Sequence, residues 1–276
     1  MPTLSVDGAD VHYEVQGHGP PMIFIPGTAM EGSFWSHFQV PEFSKDHTTI
    51  IFDPRGTGRT VTHIRDYSTS RLAADVAAII RHVNLGPAIV FGHSMGGRVA
   101  QLVALDHAQW VRALVLASTG SSFKAKGGIP AKTCLGIIHK GYAAYLREHT
   151  EWIAFSADYR AREPASVARF LDWFIDTLAP IEVYFDHVLS RQEHETTARL
   201  PFITCPTLVT VGGDEAHGTS DTTHIASAQL LARMVPSARF EILEGEGHFY
   251  THSAPQELHR LVRDFLSDLR SQGESR

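Results

Sequence analysis

Two cysteines in 276 residues, Cys134 and Cys205, are too few and too far apart for a disulfide framework. Their scarcity points to a reducing compartment and so to a cytoplasmic location. Long apolar runs are also missing. None approaches the roughly 20 residues that a membrane helix needs. Residues 1–16 alternate and turn at Asp7-Gly8, without the basic flank and apolar centre of a signal peptide. Positive charge is in deficit: 24 Lys and Arg against 30 Asp and Glu leave a net charge of −6. That excludes the basic footprint of a nucleic-acid binder. Neither nucleic acid nor a membrane is expected as a partner. No internal repeat is visible. With 43% hydrophobic and 20% charged residues, the chain has the balance of an ordinary folded domain, and disorder is excluded.

What is present is a rhythm. Leu4–Val6 and Val11–Val15 flank Asp7-Gly8-Ala9-Asp10 and read as a β-hairpin. Short apolar runs at Met22–Ile25, Thr49–Phe52, Ala88–Phe91 and Ala113–Ala117 read as buried strands. A short helix carrying Phe34, Trp35 and Phe38 is expected after the first of these. Leu72, Val76, Ile79, Ile80 and Val83 then space as one helical face. Strands alternating with helices imply right-handed crossovers and a mostly parallel sheet, with a ligand site at the carboxyl ends of its strands. From about Ser121 to Leu200 the rhythm stops. That stretch is helical in composition and rich in aromatic residues, and it reads as an insertion. Strands at Cys205–Val211 and Arg239–Leu243 and helices at Ile225–Met234 and near the C-terminus resume the pattern.

Three glycine-bearing loops leave strand ends, and the one at 92–97 carries the chemistry. Gly92, Ser94 and Gly96 form G-x-S-x-G between a strand and a helix. Glycines on either side of the serine remove Cβ atoms that a turn this sharp would crowd. Ser94 is then expected in a strained conformation costing about 1–3 kcal/mol. A glycine-rich turn with an incidental serine is the bland alternative, and the strand-before, helix-after context argues against it. A serine hydroxyl is a weak nucleophile and needs a general base. Of 17 histidines, His248 follows the last strand directly and lies at the same sheet edge. An acid must fix the imidazole tautomer and stabilise its cation. Gly212-Gly213-Asp214-Glu215, after another strand, offers two carboxylates, Asp214 and Glu215. The N–H groups of Met95 and Thr28 are the candidate donors to a tetrahedral oxyanion.

Pro26-Gly27-Thr28, Asp53-Pro54-Arg55-Gly56-Thr57-Gly58-Arg59-Thr60, Gly92-His93-Ser94-Met95-Gly96-Gly97 and Gly245-Glu246-Gly247-His248 together resemble the motifs of the α/β-hydrolase family, over residues 4–270. The resemblance implies a mostly parallel eight-stranded sheet with flanking helices. Its core would be residues 1–120 and 201–276, and a helical lid, 121–200, would enter between the sixth and seventh sheet positions. It also implies the chain order serine, acid, histidine. Family members usually place the acid three residues after the glycine that closes its strand. That count lands on Glu215, which is favoured, with Asp214 the alternative. Two departures are visible. Pro26 stands where the family usually has histidine, and Thr60 stands where it usually has serine. The implied activity is a cofactor-free serine hydrolase acting on a small or medium ester or lactone with an apolar portion. Carbon–carbon bond hydrolysis and perhydrolysis are rival chemistries on the same fold. A slow-turnover ligand receptor is a rival of another class. Dehalogenases and epoxide hydrolases carry aspartate at the position of Ser94. A homodimer is left open.

Other groups are weaker. His93 beside the nucleophile, and Trp152, Phe155 and Trp173 from the insertion, are the candidates to line an apolar substrate pocket, although insertion aromatics are first of all core. Lys124, Lys126 and Lys132 form a small basic group. It is usually a solvated face but could greet an anionic substrate. No metal is expected. His248 and His252 have i, i+4 spacing without the glutamate of a zinc protease. His217 and His224 read as solvated loop histidines.

Overall fold

The strands form where the apolar runs lie. β1 (Thr3–Val6) and β2 (Ala9–Gly17) make the N-terminal hairpin, followed by β3 (Pro21–Ile25), β4 (Thr48–Phe52), β5 (Val61–Thr62), β6 (Ala88–His93), β7 (Val111–Ala117), β8 (Thr207–Gly212) and β9 (Ala238–Leu243). This computed structural model describes residues 2–123, 128–215 and 224–273. Lys124, Lys126 and His217, singled out above, lie outside the described residues. The sheet runs β1-β2-β4-β3-β6-β7-β8-β9. β2 is antiparallel to β1 and β4, and every pairing from β4 through β9 is parallel. The two-residue β5 is an addition to the expected eight strands and pairs only with β2. Two residues are too short a run to show a period, so β5 left no mark in the sequence.

The central strands are buried on both faces, as parallel strands covered by helices must be. The period of two then divides each strand between two cores. Ile23 and Ile25 of β3 join one cluster with α2 (Thr69–Val83), α3 (Met95–Asp106) and α9 (His224–Met234). Met22 and Phe24 join the other, on the face covered by α11 (Pro255–Gly273). The apolar face expected over 72–83 is α2. Ser68 caps its start by accepting from Arg71 N–H, and Asn84, at φ +55°, ends it in the left-handed region. The expected helix carrying Phe34, Trp35 and Phe38 is instead a 3-10 turn, Gly32–Ser36, and a separate short helix, α1 (Gln39–Phe43), with Phe38 at the junction.

The loop after β4 is a fastener. The Arg55 guanidinium donates to both Asp75 oxygens at 2.6 and 2.8 Å and to the carbonyls of Val6 and Asp7. The Asp53 carboxylate accepts from Gly32 N–H and Arg59 N–H. Thr60 accepts from His12 N–H and donates to the Asp53 carbonyl, so it fills its position with the hydroxyl a serine would supply.

Between β7 and β8 stand α4 (Ala131–Lys140), α5 (Tyr142–Ala154), α6 (Ala157–Arg162), α7 (Pro164–Asp176) and α8 (Ile181–Glu193). The two ends of this segment meet. Ser122 bridges Glu195, and Thr196 N–H donates to the Ser121 carbonyl at 2.9 Å. Its aromatic residues pack downward: Phe170 lies 5.4 Å from Phe249 and 4.6 Å from His252, centroid to centroid. One small helix, α10 (Tyr250–Ser253), precedes α11. Among the described residues no helix is long and apolar enough to cross a membrane.

Candidate active site

The β6–α3 turn puts Ser94 at φ +56°, ψ −117°, in the left-handed half of backbone space that a residue with a Cβ avoids. The glycines around it are sterically required. A Cβ on Gly92 would meet the Gly96 carbonyl oxygen at 2.3 Å. One on Gly96 would meet the Ile25 and Pro26 carbonyl oxygens at 2.2 and 2.6 Å. The turn is tied to the neighbouring strand end: Ser94 N–H donates to Ala117 O at 2.9 Å, and Thr119 Oγ1 donates to Ser94 O at 2.7 Å. Met95 is the first residue of α3, so its N–H has no intrahelical acceptor. A Cβ on Gly27 would lie 3.5 Å from Ser94 Cβ, which brings the loop bearing Thr28 against the serine.

His248 sits in the loop after β9 and is 6% exposed. Its Nδ1 lies 2.9 Å from Glu215 Oε2. Glu215 is fixed at both oxygens: Oε1 accepts from Gly212 N–H at 2.8 Å and from the Ser118 hydroxyl. Asp214, the alternative acid, is exposed, and its backbone N–H closes the loop onto the Glu246 carbonyl. Burial opposes the Glu215 charge. The two imidazoles of His248 and His224 nonetheless hold its carboxyl well below the usual carboxylate range. Burial lowers the His248 imidazole below its ordinary value, against the pull of Glu215. His248 is therefore neutral at pH 7, with its Nδ1–H on Glu215, which leaves the ring lone pair on Nε2.

A model of the alpha/beta hydrolase fold family matches residues 20–255. The chain belongs to that family. Across nearly its whole length this hydrolase is 25% identical to a protein of Azorhizobium caulinodans provisionally named the carbamate hydrolase RutD, covering 98% of this chain and 99% of that one. Among solved structures, the enol-lactonase from Burkholderia xenovorans LB400 superposes with a TM-score of 0.83 at 25% identity, covering 96% of this chain and 100% of that one. Est816, described as an N-acyl homoserine lactone degrading enzyme, superposes with a TM-score of 0.79 at 27% identity over the same shares.

Several side chains of the hydrolase site escaped the sequence. His224, read as a solvated loop histidine, begins α9. It places Nδ1 2.8 Å from Glu215 Oε2 and stacks on the His248 ring at 4.8 Å. Glu215, His224 and His248 thus offer three ligand-capable atoms within 4.8 Å of one another. An ion there would take the Nδ1 that His248 uses to hold its tautomer. His187 of α8 accepts from Ala29 N–H at 3.0 Å through Nδ1 and donates to the Arg55 carbonyl at 3.1 Å through Nε2. It ties the loop that carries Thr28 to the loop after β4. Neither residue carries a local signal, because its partner lies elsewhere in the sequence.

Two substrate-lining expectations are corrected. His93 is fully buried. It donates from Nε2 to the His248 carbonyl at 2.9 Å and packs on Phe34 and Phe249. It braces the loop that bears His248 from the protein side, and burial beside His248 drops its pKa to about 3. Phe155 is 3% exposed, stacked on Tyr159 and edge-on to Phe170. Its segment grips the same loop: His248 N–H and Phe249 N–H donate to the carbonyls of Ile153 and Ala154. Trp173 is partly buried against Phe34, His37 and Phe170, and Trp152 is half exposed on α5.

Proposed function

We propose that the chain is a cofactor-free serine hydrolase that cleaves a small or medium carboxylic ester or lactone through an acyl-enzyme. The observation that carries this reading is the 2.9 Å contact between His248 Nδ1 and Glu215 Oε2, at the carboxyl end of the same sheet whose β6 leads into Ser94 at φ +56°. Ser94 Oγ attacks the carbonyl carbon while its proton passes to His248 Nε2. The oxyanion is met by the N–H groups of Met95 and Thr28, two fixed dipoles that need no reorientation as charge develops. The imidazolium returns the proton to the leaving alkoxide, and the alcohol departs. Water then gives its proton to His248 and attacks the acyl carbon, the acid is released and Ser94 is regenerated. Glu215 stays ionised throughout and keeps the proton on Nδ1.

A lactone is the favoured form of the ester, because two structural relatives are described as acting on lactones. Carbon–carbon bond hydrolysis would use the same residues with a different leaving group. Residues 121–200 are read as a lid, whose aromatic packing onto Phe249 and His252 would exclude water from the acyl-enzyme. A cytoplasmic location fits Cys134 and Cys205, both unpaired.

The test is labelling by a fluorophosphonate, read by intact-protein mass spectrometry, with hydrolysis of 4-nitrophenyl butyrate in parallel. One adduct on Ser94 is expected, and Ser94→Ala should abolish it. The variant should fold normally and lose several orders of magnitude in rate. An unlabelled but esterolytic protein, or undiminished turnover by the variant, would remove Ser94 as nucleophile.

A further inference from the structure

We propose that Arg191 forms an anion subsite beside the oxyanion loop, and that the substrate carries an ionised carboxylate on its acyl side. The inference rests on the serine-hydrolase reading and on Thr28 as a carbonyl clamp. Arg191 projects from α8, and its Nη1 donates to the Thr28 hydroxyl at 3.3 Å. Its Nε is buried and, among the described residues, has no hydrogen-bond acceptor. The guanidinium stands 5.7 Å from the centre of the Phe123 ring. Arg98, on the elbow helix four residues after Ser94, stands 5.7 Å from the same ring, and its Nη1 is likewise buried without an acceptor.

Two guanidiniums thus share one aromatic ring, and among the described residues neither makes an ion pair. A buried cation is normally paired, because desolvating it unpaired costs several kcal/mol. Here burial and the neighbouring Arg191 depress the Arg98 guanidinium to about 9, against the pull of Glu195, so the two positive charges feel each other around the Phe123 ring they share. The face of the Phe123 ring supplies only part of the compensation. The remaining donors are planar and forked, the geometry that suits a carboxylate. Position selects the acyl side. Thr28 would hold the carbonyl through its N–H while its hydroxyl is held by Arg191, and the acyl chain stays at that carbonyl through both half-reactions.

The test compares mono-4-nitrophenyl glutarate with 4-nitrophenyl butyrate, which share a leaving group and differ in one terminal carboxylate. The wild-type protein should prefer the glutarate ester, and Arg191→Met should lower the ratio of the two kcat/KM values by roughly thirty-fold, mainly through KM. Arg191→Lys should recover part of the ratio, since it keeps the charge and loses the fork. A readout independent of turnover is calorimetric binding of monomethyl glutarate to Ser94→Ala protein. It should be lost when Arg191→Met is added. If both esters lose equally in Arg191→Met, or glutarate is not preferred and monomethyl glutarate binds either protein alike, Arg191 only braces Thr28 and the anion subsite is wrong. If Ser94→Ala still turns over, the hydrolase reading fails, and the calorimetry still decides the subsite.

Discussion

At the residue scale the informative comparison is between two adjacent carboxylates. Glu215 reaches inward because its Oε1 closes a tight turn onto Gly212 N–H and takes the Ser118 hydroxyl, which leaves Oε2 for His248. Asp214 points to solvent. Glu215→Gln should therefore cost about ten-thousand-fold in kcat, because an amide cannot both hold the Nδ1–H tautomer and stabilise the imidazolium. Asp214→Asn should stay within a few-fold. Steady-state kinetics on one aryl ester, with circular dichroism to confirm folding, ranks the pair. The reverse ranking would transfer the role to Asp214. His224 shares the Glu215 oxygen and so draws on the same carboxylate charge as His248. This explains why one buried glutamate remains ionised beneath two rings.

Among the elements, the elbow depends on an approach that only glycine permits. Helix α3 starts directly against the carbonyls of Ile25 and Pro26, and Gly96 is the contact. Those carbonyls belong to the strand end that leads into the loop bearing Thr28, so packing and the proposed oxyanion site share one interface. Gly96→Ala should destabilise the fold by about 1–3 kcal/mol, since a backbone carbonyl cannot swing aside as a side chain can. The displaced loop should also depress kcat more than KM, because the proposed role of the Thr28 N–H is to meet the developing oxyanion. Thermal unfolding and kcat measured on the same preparation check both. A variant with wild-type melting and turnover would show that the interface is looser than described.

For the whole molecule, the buried histidines set the acid limit. His93 and His194 are driven by burial to about 3, and His187 to about 4. Unfolded, each titrates at about 6.5. The folded pKa is the lower one, so the stability these residues allow is complete above 6.5. It is lost as pH falls below 6.5, where only the unfolded chain takes up protons. One unit below 6.5 the three together cost about 4 kcal/mol, a large share of a typical domain's stability. Urea unfolding midpoints should accordingly drop steeply between pH 7 and 5. A flat profile over this range would mean that the three rings take up protons in the folded state.

The sequence by itself determined what neighbours in the chain can impose. Doubly buried strands show as continuous apolar runs, and the α2 face shows as a 3.6-residue spacing. Gly92, Ser94 and Gly96 show a strained turn, because backbone sterics are local. His248 was legible from its place after the last strand. The tertiary structure alone decided which carboxylate meets His248, a contact across 33 residues. It also decided that His187 supports a loop 158 residues away, and that His93 and Phe155 turn from the substrate into the protein. These outcomes depend on where the folded chain returns to itself. A one-residue change of register in the 212–215 loop swaps Asp214 for Glu215 without altering any local pattern, so only the packed sheet end selects between them.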